Sequence, residues 1–158
     1  MAEIARQRPI SHEEKLRLLT GTYRSILERY REIERLSREE RRLLIENEPV
    51  PEVIEILRRK REQLRAIRAE EESVSGAREW WKRTRRSLPS GVGRELLSLL
   101  DAISRKLERT LALETECRTL LDRALAWGTS PAEPSHQAAS GVAAAAYGRE
   151  SSPTREDL

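Results

Sequence analysis

Few side chains in this sequence are of types, and at spacings, that do chemistry. His12 and His136 stand far apart, and neither has a second ligand at helical spacing. Both read as solvated histidines rather than metal ligands. Cys117 is the single cysteine, which excludes an intrachain disulfide and a cysteine-based metal cage. As a nucleophile it would need a His or Lys beside it. As a buried thiol it behaves as a small hydrophobe. Glutamates are abundant, but carboxylates spread along an exposed helix form a solvated face. There is no Gly-x-Gly-x-x-Gly and no Walker-type loop, and the Gly91/Gly93 pair is too short and lacks a preceding strand. The expectation is a non-enzymatic chain with no cofactor, no metal and no small-molecule substrate.

One segment is chemically unusual. Arg78-Glu79-Trp80-Trp81-Lys82-Arg83-Thr84-Arg85-Arg86 holds five basic residues and two tryptophans. Aromatics interleaved with cations can stack on bases or sit at a membrane interface. The alternative is that Trp81 fills the end of a helical core, Trp80 packs beside a loop, and the cations are solvated. Positive charge also suits a helix C-terminus.

The elements that must position these residues are helices. Of the 158 residues, 36 % are charged and 4 % aromatic, with no Phe. So few bulky apolar residues argue against a broad globular core and for long helices or coiled coils. Thirty basic residues nearly balance 27 acidic ones, for a net charge of +3. Interleaved signs fit a helical surface laced with salt bridges better than a nucleic-acid footprint. Ser11 and Glu14 form a capping-box pattern. Beyond it Leu16, Leu19, Tyr23, Ile26, Tyr30 and Ile33 are spaced 3, 4, 3, 4, 3, an a/d seam. The first helix is predicted over 11–47. Glu48-Pro49-Val50-Pro51 breaks it, and Pro51 suits the first turn of the next. A second helix is predicted over 51–87, with a bend near 73–77, where Gly76 costs about 1 kcal/mol relative to Ala. Leu88-Pro89-Ser90-Gly91-Val92-Gly93 is the second break. A third helix is predicted over 94–127, ending at Gly128.

Short connections favour antiparallel neighbours, so the predicted fold is all-α: a long antiparallel three-helix, coiled-coil-like bundle. Residues 1–10 carry little pattern and are expected to be flexible. Residues 128–158, rich in Gly, Ser, Pro and Ala, are expected to form a mobile, disordered tail. The start lacks an apolar signal region, and no apolar run approaches the roughly 20 residues of a membrane span, so the expected address is the cytoplasm. Lys60, Glu71, Arg78, Thr110 and Glu114 fall on the inner stripe. Either the bundle is imperfectly closed, leaving a groove between the second and third helices for a partner helix, or these groups pair with one another or splay outward.

The layout resembles the FlgN-type flagellar export chaperones over roughly 12–128 and around Tyr147. The resemblance is carried by Leu43-Leu44-Ile45-Glu46-Asn47 before the acidic/Pro break and by Leu57-Arg58-Arg59-Lys60-Arg61-Glu62-Gln63-Leu64 after it. Glu114-Thr115-Glu116-Cys117-Arg118-Thr119-Leu120-Leu121 and the pair Tyr147-Gly148 are also similar. The resemblance implies a chaperone that holds hook-associated, hook–filament junction proteins before type III export. It implies client contacts at Leu107, Leu111, Leu120, Leu121 and Leu125, and docking to an export-gate component through Tyr147. Two other readings stand beside it: a coiled-coil scaffold that homodimerises through the first-helix seam, and a nucleic-acid binder using 78–86.

Overall fold

A computed structural model describes residues 9–47 and 49–128. Four helices follow one another, α1 (His12–Ile45), α2 (Val50–Ser73), α3 (Ser75–Thr84) and α4 (Arg94–Gly128). The described residues contain no strand. The expected tail and Tyr147 lie outside the described residues.

The α1 start follows its sequence. Ser11 N–H donates to Glu14 Oε2 at 2.7 Å, and Glu14 N–H donates to Ser11 Oγ at 3.1 Å, a complete capping box. At the far end Asn47 adopts a left-handed conformation, φ 52°, which Asn tolerates better than most residues. Pro51 stands in the first turn of α2.

The second predicted helix is two helices. Helical geometry fails at Val74, with φ −111° and ψ 14°. Ser73, Val74, Ser75 and Gly76 are four weak helix formers in succession, and the Ser73 hydroxyl donates back to the Glu70 carbonyl at 2.6 Å. The expected bend is therefore a full break, and α3 ends at Thr84 rather than 87.

Contacts fix the directions. Arg29 of α1 meets Gln63 and Glu70 of α2, while Glu40, further along α1, meets Lys60. Those two helices are antiparallel. Against α4 the pairs are Arg24–Glu95, Glu34–Lys106, Ser37–Glu114 and Arg41–Glu116. Both numbers rise together, so α1 and α4 run parallel. The backbones of α2 and α4 each stay close to α1 but approach one another only at isolated points. The first-helix seam is thus used inside the chain: Leu19, Tyr23, Ile26 and Ile33 are buried, with Leu16 and Tyr30 packed beside them. Within the chain that seam is covered by residues of α2, α3 and α4.

The core divides in two. One cluster joins the first half of α1 to Ile67, Val74, Ala77, Trp80, Trp81 and Leu96. A smaller one holds Leu36, Leu43, Val53 and Ile56. Trp80 and Trp81 are 6 % and 5 % exposed, so they offer no face for stacking on bases. Trp80 packs on His12, ring centroids 5.2 Å apart, with the Lys15 ammonium over its ring. Trp81 lies against Gly93, whose φ is +78°. A Cβ there would lie 2.7 Å from Trp81 Cζ3. Lys82, Arg83, Arg85 and Arg86 are exposed. The segment plugs one end of the core with its aromatics; Lys82 meets Glu79 at 3.6 Å, and Arg78 is half-buried beside Tyr23.

Gly93→Ala should therefore destabilise the chain by about 1–3 kcal/mol through overpacking on top of an unfavourable φ. Gly91→Ala, with the same backbone sign but no clash, should cost less. Urea midpoints followed by tryptophan fluorescence check both. Equal effects would show that the indole yields without cost.

Candidate protein-binding surface

Of the polar residues on the inner stripe, Lys60 and Glu114 join a buried ionic layer between the two clusters, whereas Glu71 and Arg78 lie by Tyr23. Lys60 Nζ reaches Glu40 of α1 and lies 2.5 Å from Glu114 Oε1 of α4. The Lys60 and Glu40 side chains are 7 % and 0 % exposed. Ser37 Oγ lies 2.9 Å from the Ile33 carbonyl and 2.5 Å from Glu114 Oε1, and its single proton serves one acceptor at a time. The Cys117 thiol is 3.5 Å from the Ser37 carbonyl. One turn away Glu34 is held by Lys106 of α4 and by Arg38. Thr110 donates to the Lys106 carbonyl at 2.9 Å. Lys60 and Glu114 pair with one another, the outcome the sequence set against an imperfectly closed bundle.

Burial alone would lower the Lys60 pKa, but the charges of Glu40 and Glu114 outweigh it and the ammonium is held above its ordinary value. Burial likewise works against ionised Glu34, yet the Lys106 hydrogen bond and charge keep its carboxyl below the usual range. Burial, with Glu40 adding to it, pushes the Cys117 thiol up to about 12. A thiol so hard to ionise is no nucleophile at neutral pH.

The layer also orients α4. Leu107, Leu111, Leu121 and Leu125 lie seven before, three before, seven after and eleven after Glu114. Helical spacing puts them on the flank that Glu114 turns toward α2. Leu107, Leu121 and Leu125 are half-buried and Leu111 is 53 % exposed. None belongs to either core cluster. Leu120 stands apart. It follows Glu116, which pairs with Arg41 of α1 at 2.8 Å, by four residues, and so lies on the opposite flank. On α2, Leu57 and Leu64 fall three before and four after Lys60 and pack on the cores from the matching flank. The two rows lie on the flanks that α2 and α4 turn toward one another, where Lys60 and Glu114 link the two helices. Trp127, 85 % exposed, is a further large exposed residue; it follows Leu120 by seven residues and shares that opposite flank.

Glu34, Ser37 and Glu40 went unread in the sequence, although Ser37 and Glu40 continue the seam after Ile33 at spacings of four and three. Their polarity hid a periodicity that was intact. Among the described residues, no group of three His, Cys, Asp or Glu is placed to hold a metal ion, and no helix is long and apolar enough to cross a membrane. No family model, no curated protein and no solved structure matches the chain.

Two tests follow from the layer. Lys60→Met leaves the Glu40 carboxylate buried without its cation and should cost about 3–5 kcal/mol, whereas Glu40→Leu/Lys60→Met/Glu114→Leu together should be near neutral or stabilising. Urea unfolding of the two variants checks the contrast; a triple variant as unstable as the single one would contradict it. The second test is alkaline. Cys117, Lys60, Tyr23 and Tyr30 all have raised values in the fold. Their contributions are complete below the unfolded pKa of each and vanish as pH rises through the folded one. For Cys117 that window runs from its ordinary 9.0 to about 12. Stability should fall from pH 9 upward, and Cys117→Ala should flatten the first part of the fall. An unchanged slope would mean the thiol is not shielded.

Proposed function

We propose that this chain is a helical chaperone that receives an amphipathic helix of a client protein in the α2–α4 furrow. The reading carried over from its resemblance is that of a FlgN-type flagellar export chaperone. It acts in the cytoplasm on hook-associated proteins before type III export, without catalysis, and passes its client to an export-gate component through Tyr147. In this reading α1, α2–α3 and α4 act as a three-helix bundle whose third side is left for a guest.

One observation carries the proposal. The α4 flank that faces α2 bears a row of leucines that neither core cluster takes up, with Leu111 more than half exposed. Apolar area removed from water contributes about 25 cal/mol per Å², so such a row favours a covering partner. A helix laid between two helices meets that row with residues at i, i+3, i+4 and i+7.

The test is Leu107→Asp with Leu111→Asp. Binding to the C-terminal helix of a hook-associated protein, measured by fluorescence anisotropy, should weaken at least about 100-fold, since two charges would be buried without partners. Helicity by circular dichroism should persist, because neither residue belongs to a core cluster. Unchanged affinity in a folded double variant would remove the furrow as the binding site.

A further inference from the structure

The furrow has a charged rim, and the rim is asymmetric. Of the α2 arginines, Arg58 pairs with Glu55 and Glu62 on its own helix, and Arg59 reaches Glu32 of α1. Arg61, Arg65 and Arg68 make no ion pair or side-chain hydrogen bond among the described residues. Spaced four and three apart, they form one row. Arg61 follows Leu57 by four residues, and Arg68 follows Leu64 by four, so the row runs beside the apolar floor on the side away from α1. Arg65 and Arg68 are exposed and Arg61 is half-exposed. Across the furrow Arg118, four residues past Glu114 on α4, is also exposed and without an ion pair among the described residues, as is Asp122 four residues further on. Glu72 closes the α2 row at its end.

The contrast with α1 gives this weight. Arg17, Arg24, Arg31, Arg35, Arg38 and Arg42 are exposed yet each meets a carboxylate. Exposed arginines of α3 and α4, Arg83, Arg94, Arg109 and Arg123 among them, also make no ion pair among the described residues; what sets Arg61, Arg65 and Arg68 apart is their place beside Leu57 and Leu64. Cations beside a desolvated apolar floor are the places where a carboxylate on a partner gains most, because local water is displaced when the floor is covered.

We propose that the occupant of the furrow is an amphipathic helix with acidic residues flanking its apolar stripe. This rests on the furrow being a helix-binding site, as argued above. Leucines on the guest cover Leu57, Leu64, Leu107 and Leu111. Glutamates or aspartates beside them meet Arg61, Arg65 and Arg68 on one side and Arg118 on the other. A nucleic acid fits less well: the rim lies against leucines, and Trp80 and Trp81, the aromatics nearest in sequence to the α2 row, are buried. Charge complementarity of this kind sets which helices are admitted, and it rejects those with basic flanks.

The experiment uses the full chain and two synthetic amphipathic helices that share one leucine stripe, flanked by Glu in the first and by Lys in the second. Anisotropy at low salt should give at least about tenfold tighter binding of the Glu-flanked helix, and the preference should shrink at high salt as the rim is screened. Arg61→Glu/Arg65→Glu/Arg68→Glu should reverse the order. Arg61→Gln/Arg65→Gln/Arg68→Gln should abolish the preference, and circular dichroism reports that both sets fold. Equal binding of the two helices, lost in Leu107→Asp/Leu111→Asp, would overturn the charge assignment and leave the furrow standing. Failure of both helices to bind the unaltered chain would overturn both. Tighter, Arg61/Arg65/Arg68-dependent binding of a random-sequence RNA oligomer would overturn the proposal in favour of a nucleic-acid face.

Discussion

The arrangement of the long helices depends on one buried contact, the Lys60 ammonium between the carboxylates of Glu40 and Glu114. Taking three charges out of water costs several kcal/mol per ion before any attraction is counted, so the layer is a poor source of net stability. What it supplies is position. A lysine on α2 that must reach two carboxylates, one on each of two parallel helices, fixes the height of all three helices relative to one another. A leucine in its place would pack equally well one turn up or down. The secondary pair of Lys106 and Glu34 repeats the constraint between α1 and α4. A sequence with no Phe has few large, shape-specific side chains to set register, and a polar layer is a recognised substitute.

The same layer explains why the α4 leucines are left out. Above it, Trp80 and Trp81 on α3 supply bulk, and Leu96, Leu99, Leu100 and Ile103 are gathered into the main cluster. Below it the small cluster is built from α1 and α2 alone. Long ionic side chains link α2 to α4 at a distance at which leucines would demand closer approach. Leu107 and Leu111 therefore flank the seam instead of closing it. The uncovered flank follows from the way the interior is built.

How much of this could be read in the residues differs from place to place. The α1 capping box, the helix class and the two proline/glycine breaks are local features, governed by orphan backbone groups and by φ preferences, and they were legible. The break at Val74 was legible only as a bend, because propensity indicates weakness and tertiary packing of Val74 and Ala77 decides where it opens. The role of Trp80 and Trp81 needed coordinates: an aromatic–cation pattern is the same whether the rings face water or Gly93. Ser37 and Glu40 sat in correct seam register and were passed over because polarity, and not spacing, was given priority. Leu107, Leu111, Leu121 and Leu125 form one row once Glu114 is known to face α2. Leu120 leaves that row for the same reason, and no inspection of Leu spacing alone could separate them.

Burial and pairing together constrain what kind of surface this can be. Exposed arginines on α1 are matched by carboxylates, most of them three or four residues away, pairs that each contribute only about 0.3–0.5 kcal/mol but leave little net field. Against that neutralised face the unmatched Arg61, Arg65 and Arg68 of α2 gain their weight from standing beside leucines, since a low-dielectric floor weakens the screening that water provides. An apolar strip alone would admit any greasy helix, and a basic strip alone any polyanion. On the proposed reading the two side by side discriminate in both respects: apolar contact would supply affinity and the arginine row would restrict which helix can supply it.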